Sequence, residues 1–107
     1  MIPCSNRHPS IINRAPDKPL FSIGKLVATR GAMEMLQRLE LSPFDFVSRH
    51  WQGDWGDLER DDCYANDRAL RENTRLLSSY RINPDDKLWI ITEADRTATT
   101  LLLPGEY

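Results

Sequence analysis

Several features are scarce in this 107-residue chain, and each scarcity removes a class of function. No apolar run approaches the ~20 residues that a membrane-spanning helix needs, so no membrane association is expected. The N-terminus has no apolar stretch of the signal-peptide kind, which predicts a cytoplasmic protein. Cysteine occurs only twice, as Cys4 and Cys63 in unlike settings with no CxxC pair, so reduced thiols are expected rather than a disulfide framework. The net charge is only −2, whereas nucleic-acid binders normally carry a basic footprint, so no direct nucleic-acid contact is expected. Walker loop, GxGxxG, HExxH and GxSxG patterns are all absent, and no cofactor is expected.

The composition that remains is that of one soluble domain with a thin core. Residues 1–19 hold four of the seven prolines and few apolar side chains, and they read as a flexible N-terminal tail. Residues 20–107 read as a single α+β domain. Its first element spans Phe21 to Thr29, with Leu26-Val27-Ala28 as a short strand. Thr29 then caps a helix whose apolar stripe is Ala32, Met35, Leu36 and Leu39. Ser42-Pro43 starts a second helix, with serine at the N-cap and proline in the first turn, and Gly53 ends it in a left-handed conformation. Asp57 is expected to cap a third helix over Leu58 to Asn73, half-buried and weakly apolar. From Arg75 the period changes to two. Three β-prone runs, ending at Leu103 and joined by short turns, make an antiparallel meander. The expected architecture is a small antiparallel β-meander with three helices packed on one face, to which the Phe21–Thr29 segment can add a strand.

The segment from Arg49 to Leu58 is the densest in unusual residues, with His50, Trp51, Gly53, Asp54, Trp55, Gly56 and Asp57. Two glycines mark a sharply bent connection, and two indoles imply that at least one is anchored in the core. His50, Asp54 and Asp57 have the residue types of a metal site, but helix end, turn and cap account for them equally well, and no metal is expected. Glu93, Asp95 and Arg96 sit at a predicted hairpin tip, where they could serve as acid, base and anion clamp or simply stay hydrated. Cys63, among acids, is a poor thiolate nucleophile. Between Asp54 and Glu72 seven acids face three arginines, a local charge of −4. Asp61, Asp62 and Asp67 belong to this acidic helix, which can present carboxylates to a basic partner. Arg49, Trp51 and Trp55 are of types favoured as interface anchors. Arg49, Trp51, Asp54, Trp55, Asp57, Asp61, Asp62 and Asp67 are therefore the candidate partner-binding residues.

Taken together, the blocks Phe46-Val47-Ser48-Arg49-His50, Gly53-Asp54-Trp55-Gly56-Asp57-Leu58, Arg75-Leu76-Leu77-Ser78-Ser79-Tyr80, Leu88 to Arg96 and Leu103-Pro104-Gly105-Glu106-Tyr107 resemble a family of short bacterial "plasmid-related" proteins found on plasmids, prophages and other mobile elements. The resemblance covers about residues 21–107. It implies a mobile-element accessory protein and transfers no activity. Some members carry the label of a restriction methyltransferase subunit, whose length and motifs this chain lacks. The leading expectation is a non-enzymatic protein that binds another protein and inhibits a host defence complex of the CRISPR or restriction kind. The alternatives are a small enzyme using His50, Asp54 and Asp57 or Glu93, Asp95 and Arg96, and a regulatory subunit acting within a homo-oligomer.

Overall fold

The computed structural model describes residues 19–107, so the expected tail lies outside the described residues apart from Pro19. Strand β1 (Lys25–Ala28) leads into helices α1 (Arg30–Arg38), α2 (Pro43–Trp51) and α3 (Arg60–Glu72). Strands β2 (Leu76–Arg81), β3 (Lys87–Thr92) and β4 (Ala98–Leu102) follow, and a 3₁₀ turn (Pro104–Glu106) comes near the C-terminus. The fold is α+β. β2, β3 and β4 form the antiparallel meander, with β1 added to β4 in parallel, so the complete four-stranded sheet is mixed in the order β1-β4-β3-β2.

The local signals act as their chemistry requires. The Thr29 hydroxyl accepts from the Ala32 N–H at the start of α1, and the Ser42 hydroxyl accepts from the Phe44 N–H at the start of α2. Gly53, at φ 86°, follows the end of α2 in the left-handed conformation. One cap differs. Glu59 rather than Asp57 stands at the N-cap of α3, because the Asp57 carboxylate is taken by the Arg81 N–H at 2.5 Å. A second helix-end device lies far away in sequence. The Glu106 carboxylate accepts from the Thr29 hydroxyl (2.5 Å), the Gly31 N–H (3.2 Å) and the Leu103 N–H (2.8 Å). The chain's penultimate residue thus places negative charge at the N-terminus of α1, where the helix dipole favours it. The Thr29 and Leu103 hydrogen bonds hold this carboxyl below its ordinary pKa.

Alternation sorts the sheet into two faces. Leu76, Ser78, Tyr80, Leu88, Ile90, Thr92, Thr99 and Leu101 point toward the helices and are all buried. One core cluster joins Ala32, Met35 and Leu36 of α1 and Val47 of α2 to Tyr80, Leu88, Ile90 and Leu101. A smaller one joins Trp55, Cys63, Ala69 and Leu76. Cys63 is disulfide-bonded, which corrects the expectation of a reduced thiol; the other cysteine, Cys4, lies outside the described residues. No helix among the described residues is long and apolar enough to cross a membrane.

The position of β1 has a physical cause, since the free edge of β2 is occupied. The Asn66 side chain of α3 donates to the Leu77 carbonyl (2.6 Å) and accepts from the Leu77 N–H (3.1 Å). Two residues on, Ser79 donates to the Trp55 carbonyl and accepts from the Asp57 N–H. Asp57 then takes the Arg81 N–H. Trp55-Gly56-Asp57 therefore serves as a short substitute strand, and Gly56 forms a parallel bridge with Ser79. An open strand edge invites pairing with other chains, and here one edge is saturated.

Gly56 is required by this closure, because it has φ 78° and a Cβ there would lie 2.1 Å from the Ser79 carbonyl oxygen. Gly56→Ala should lower stability by about 2–4 kcal/mol, combining backbone strain with overpacking. Gly105→Ala, whose Cβ would meet nothing within 4 Å, is the control and should be nearly neutral in the same urea titration.

Candidate functional site

The segment from Arg49 to Asp57 and its neighbours form the densest polar constellation in the protein. His50, the penultimate residue of α2, is fully buried. Its Nδ1 lies 2.5 Å from the Ser78 hydroxyl and its Nε2 lies 2.9 Å from the Thr92 hydroxyl. The Thr92 and Thr99 hydroxyls are 2.7 Å apart, and Thr99 donates to the Ile23 carbonyl at 2.8 Å. A carbonyl can only accept, so the direction of the whole chain is set from that end. Thr99 accepts from Thr92, Thr92 accepts from Nε2–H, and Nδ1 accepts from the Ser78 hydroxyl. His50 is thereby the neutral Nε2–H tautomer, satisfied on both nitrogens.

The same ring is enclosed by aromatics. Phe21 and Trp55 meet it edge to face at centroid distances of 5.3 and 5.6 Å, and they stack on each other at 6.3 Å. Burial, reinforced by the positive charge of Arg96, pushes the His50 pKa down to about 3. A histidine sealed by its own fold and kept neutral is a structural core group. The Ser78–His50 contact has the residue types of a nucleophile and base, but neither side chain reaches solvent.

The other expected residues have similarly defined work. Arg49 Nε donates to Asp54 Oδ2 at 2.7 Å, and the guanidinium lies 4.6 Å from the Tyr80 ring centroid. Asp54 also accepts from the Gly56 N–H, and its carbonyl accepts from the Tyr80 hydroxyl at 2.6 Å. Burial raises the Tyr80 pKa, so this phenol remains a donor. Trp51 is half-buried and donates from its indole to the Phe21 carbonyl. Trp55 is fully buried, and its indole donates to Asp67 at 3.3 Å. The tryptophan turn is therefore mainly core, and Trp55 presents no surface to a partner. Asp61 and Asp62 are exposed in the first turn of α3, whereas Asp67 is partly buried beneath the Trp55 indole.

The hairpin-tip triad is also dispersed into structural tasks. Arg96, at φ 61°, donates to the carbonyls of Ala69, Thr74, Glu93 and Ala94. It thus ties the C-terminus of α3 to the β3–β4 hairpin, where a cation suits the helix dipole. Asp95 accepts from the Thr97 hydroxyl and N–H, which holds its carboxyl below the ordinary range. Glu93 lies 3.8 Å from Arg75. Among the described residues no group of three or more His, Cys, Asp or Glu side chains is arranged to hold a metal.

Sequence reasoning missed Ser78, Thr92 and Thr99 as partners of His50. Their signal was present as polar residues on the apolar phase of three strands. It also missed Asn66, whose clasp on Leu77 has no sequence signature. In comparisons with protein-family models, curated proteins and solved structures, the chain matches none.

Two outcomes follow from the buried cluster. Below about pH 6.5 the unfolded chain binds a proton at His50 that the folded chain refuses, while above that pH its stabilising contribution is complete. Stability should therefore fall by up to about 1.4 kcal/mol per pH unit as pH drops from 6.5 toward 3. Urea unfolding at successive pH values should show this slope in the native protein and a shallower one in His50→Gln. Trp55→Ala should cost ~3–5 kcal/mol of stability, as expected for emptying a fully buried indole site.

Proposed function

We propose that this protein acts by binding another macromolecule rather than by catalysis. The observation that carries this reading is the saturation of the chemically capable side chains. His50 is neutral and sealed, Arg96 is spent on four carbonyls, and Asp54, Asp57 and Asp95 hold turns and backbone groups. A catalytic group must reach a substrate, and these groups are turned to their own fold. The resemblance to plasmid-related proteins supports placing it among accessory proteins of mobile elements. The role proposed is inhibition of a host defence complex of the CRISPR or restriction kind.

The protein-facing surface of this reading is the exposed start of α3, where Glu59, Asp61 and Asp62 project together. Carboxylates so placed attract a basic partner over a distance and speed its encounter. Asp67 and Trp55 are left out of this surface because each is committed to the other.

The test reverses Asp61 and Asp62 to lysine. Both acids lie at the positive end of the helix dipole, so the double change should cost about 1–2 kcal/mol and leave the protein folded. Affinity capture from a bacterial lysate, read by mass spectrometry, should recover a protein complex with the native chain. The charge-reversed variant should associate at least tenfold more slowly at low salt. A folded variant that captures the same complex at an unchanged rate would sink the acidic-surface reading.

A further inference from the structure

The side of the sheet turned away from the helices has a different electrostatic character from the rest of the molecule. Register places Lys25 of β1, Arg81 of β2, and Lys87 and Trp89 of β3 on this side, together with Ser79, Ile91 and Leu102, which are buried. Arg75, just ahead of β2, and Tyr107, at the chain end, meet over the same side. Arg75 donates to the Tyr107 hydroxyl, and the Tyr107 ring packs edge to face on Trp89 at 5.9 Å. Four cations thus share this side with one carboxylate of the strand ends, Glu93, already beside Arg75.

The charge and exposure on this side do not serve the core. Arg81 and Lys87 are directly opposite in the β2–β3 ladder, and like charges so placed are destabilising. Neither side chain has an ion-pair partner among the described residues. Beside them the half-exposed Trp89 ring borders a surface cavity of about 320 Å³, also lined by Asp85 and by Asp86, which is paired with Arg38. Tyr107 is 71% exposed although it is large and aromatic. An anion lying between Arg81 and Lys87 would relieve their repulsion, and a planar group would cover the aromatics.

We propose that this outward side of the sheet binds single-stranded nucleic acid. Trp89 and Tyr107 stack on bases, while Lys25, Arg75, Arg81 and Lys87 meet phosphates. Charge complementarity selects the occupant, because a polyanion answers cations spread over the surface, and bases answer the rings. Arg75, just ahead of β2, and Arg81 at its end are six residues apart in sequence, or ~20 Å of extended chain, which suits the short end of single-strand site sizes, ~4 nucleotides. A duplex is the poorer fit, since its bases are already stacked and a sheet-borne ring cannot reach between them. The whole-chain charge of −2 does not describe this surface, as it sums the sheet with the acidic helix.

The test is fluorescence anisotropy of the full chain with labelled oligothymidine and oligouridine of about 15 nucleotides, and with a duplex of equal length, at low salt. Both single strands should bind at least tenfold more tightly than the duplex. Arg81→Gln with Lys87→Gln should weaken single-strand binding about tenfold and reduce the log–log salt slope by about 1.4, the change expected for two lost phosphate contacts. Trp89→Leu, which keeps an apolar side chain, should weaken binding roughly five- to tenfold without changing the slope. Urea midpoints close to native establish that each variant is folded. Reversal of Asp61 and Asp62 should not weaken this binding, which separates it from the protein-binding surface on α3. The proposal is overturned if native protein shows no single-strand binding, if the duplex binds equally well, or if folded variants bind unchanged. It is equally overturned if the double glutamine variant loses only a protein partner, which would assign the surface to a protein.

Discussion

The buried imidazole of His50 is the constraint around which the domain closes. A fully buried histidine must find partners for both ring nitrogens, since an unsatisfied polar group in a core costs on the order of 1–3 kcal/mol. Ser78 supplies one partner from β2, Thr92 the other from β3, and the chain continues through Thr99 on β4 to the Ile23 carbonyl ahead of β1. One side chain on a helix thereby specifies the alignment of every strand. A one-residue slip of any strand would turn its hydroxyl to the other side of the sheet, leaving a nitrogen or hydroxyl without its partner. The aromatic enclosure by Phe21 and Trp55 keeps water from substituting for those partners.

This dependence explains what could be read from the chain and what could not. Helix starts at Thr29 and Ser42, the stripe on α1 and the alternation of the last three strands are local, and they act where they stand in sequence. The fold class was legible from them. The core histidine was not, because its partners lie 28 and 42 residues away, and a hydroxyl on the apolar phase of a strand does not say which distant side chain it meets. Asp57 shows the same limit on a smaller scale. Its position before a helix suggests a cap, yet the Arg81 N–H, 24 residues on, holds its carboxylate. Glu106 caps α1 from 75 residues away, which no local rule anticipates.

The two sheet edges are treated differently, and that difference sets the topology. The β2 edge is closed by one side-chain amide and by a glycine turn acting as a strand. β1 could therefore join only beside β4, which makes an otherwise antiparallel sheet mixed. The other edge is protected more cheaply, since β1 is only four residues long and begins with an exposed lysine. The residues that drew most attention in the sequence, Gly53 to Asp57, are thus needed chiefly because β2 would otherwise be left bare.

It follows that the conspicuous residues of the segment from Arg49 to Asp57 are mostly turned to the fold, while charge elsewhere is exposed. His50, Trp55, Asp54 and Asp57 stand out in the sequence because such residues are versatile, and here those properties close a small core and the edge of its sheet. Exposed charge is concentrated in two places among the described residues. Exposed acids begin α3, and cations with two aromatic rings lie on the side of the sheet turned away from α1, α2 and α3. Electrostatic influence between solvent-exposed charges decays over about 8 Å at physiological salt. The two regions adjoin where the Asp57 carboxylate, just ahead of α3, holds the Arg81 N–H at 2.5 Å, and beyond that corner charges of opposite sign add in the net charge without cancelling locally. A total of −2 is thus a statement about the chain and not about what any one approaching partner encounters.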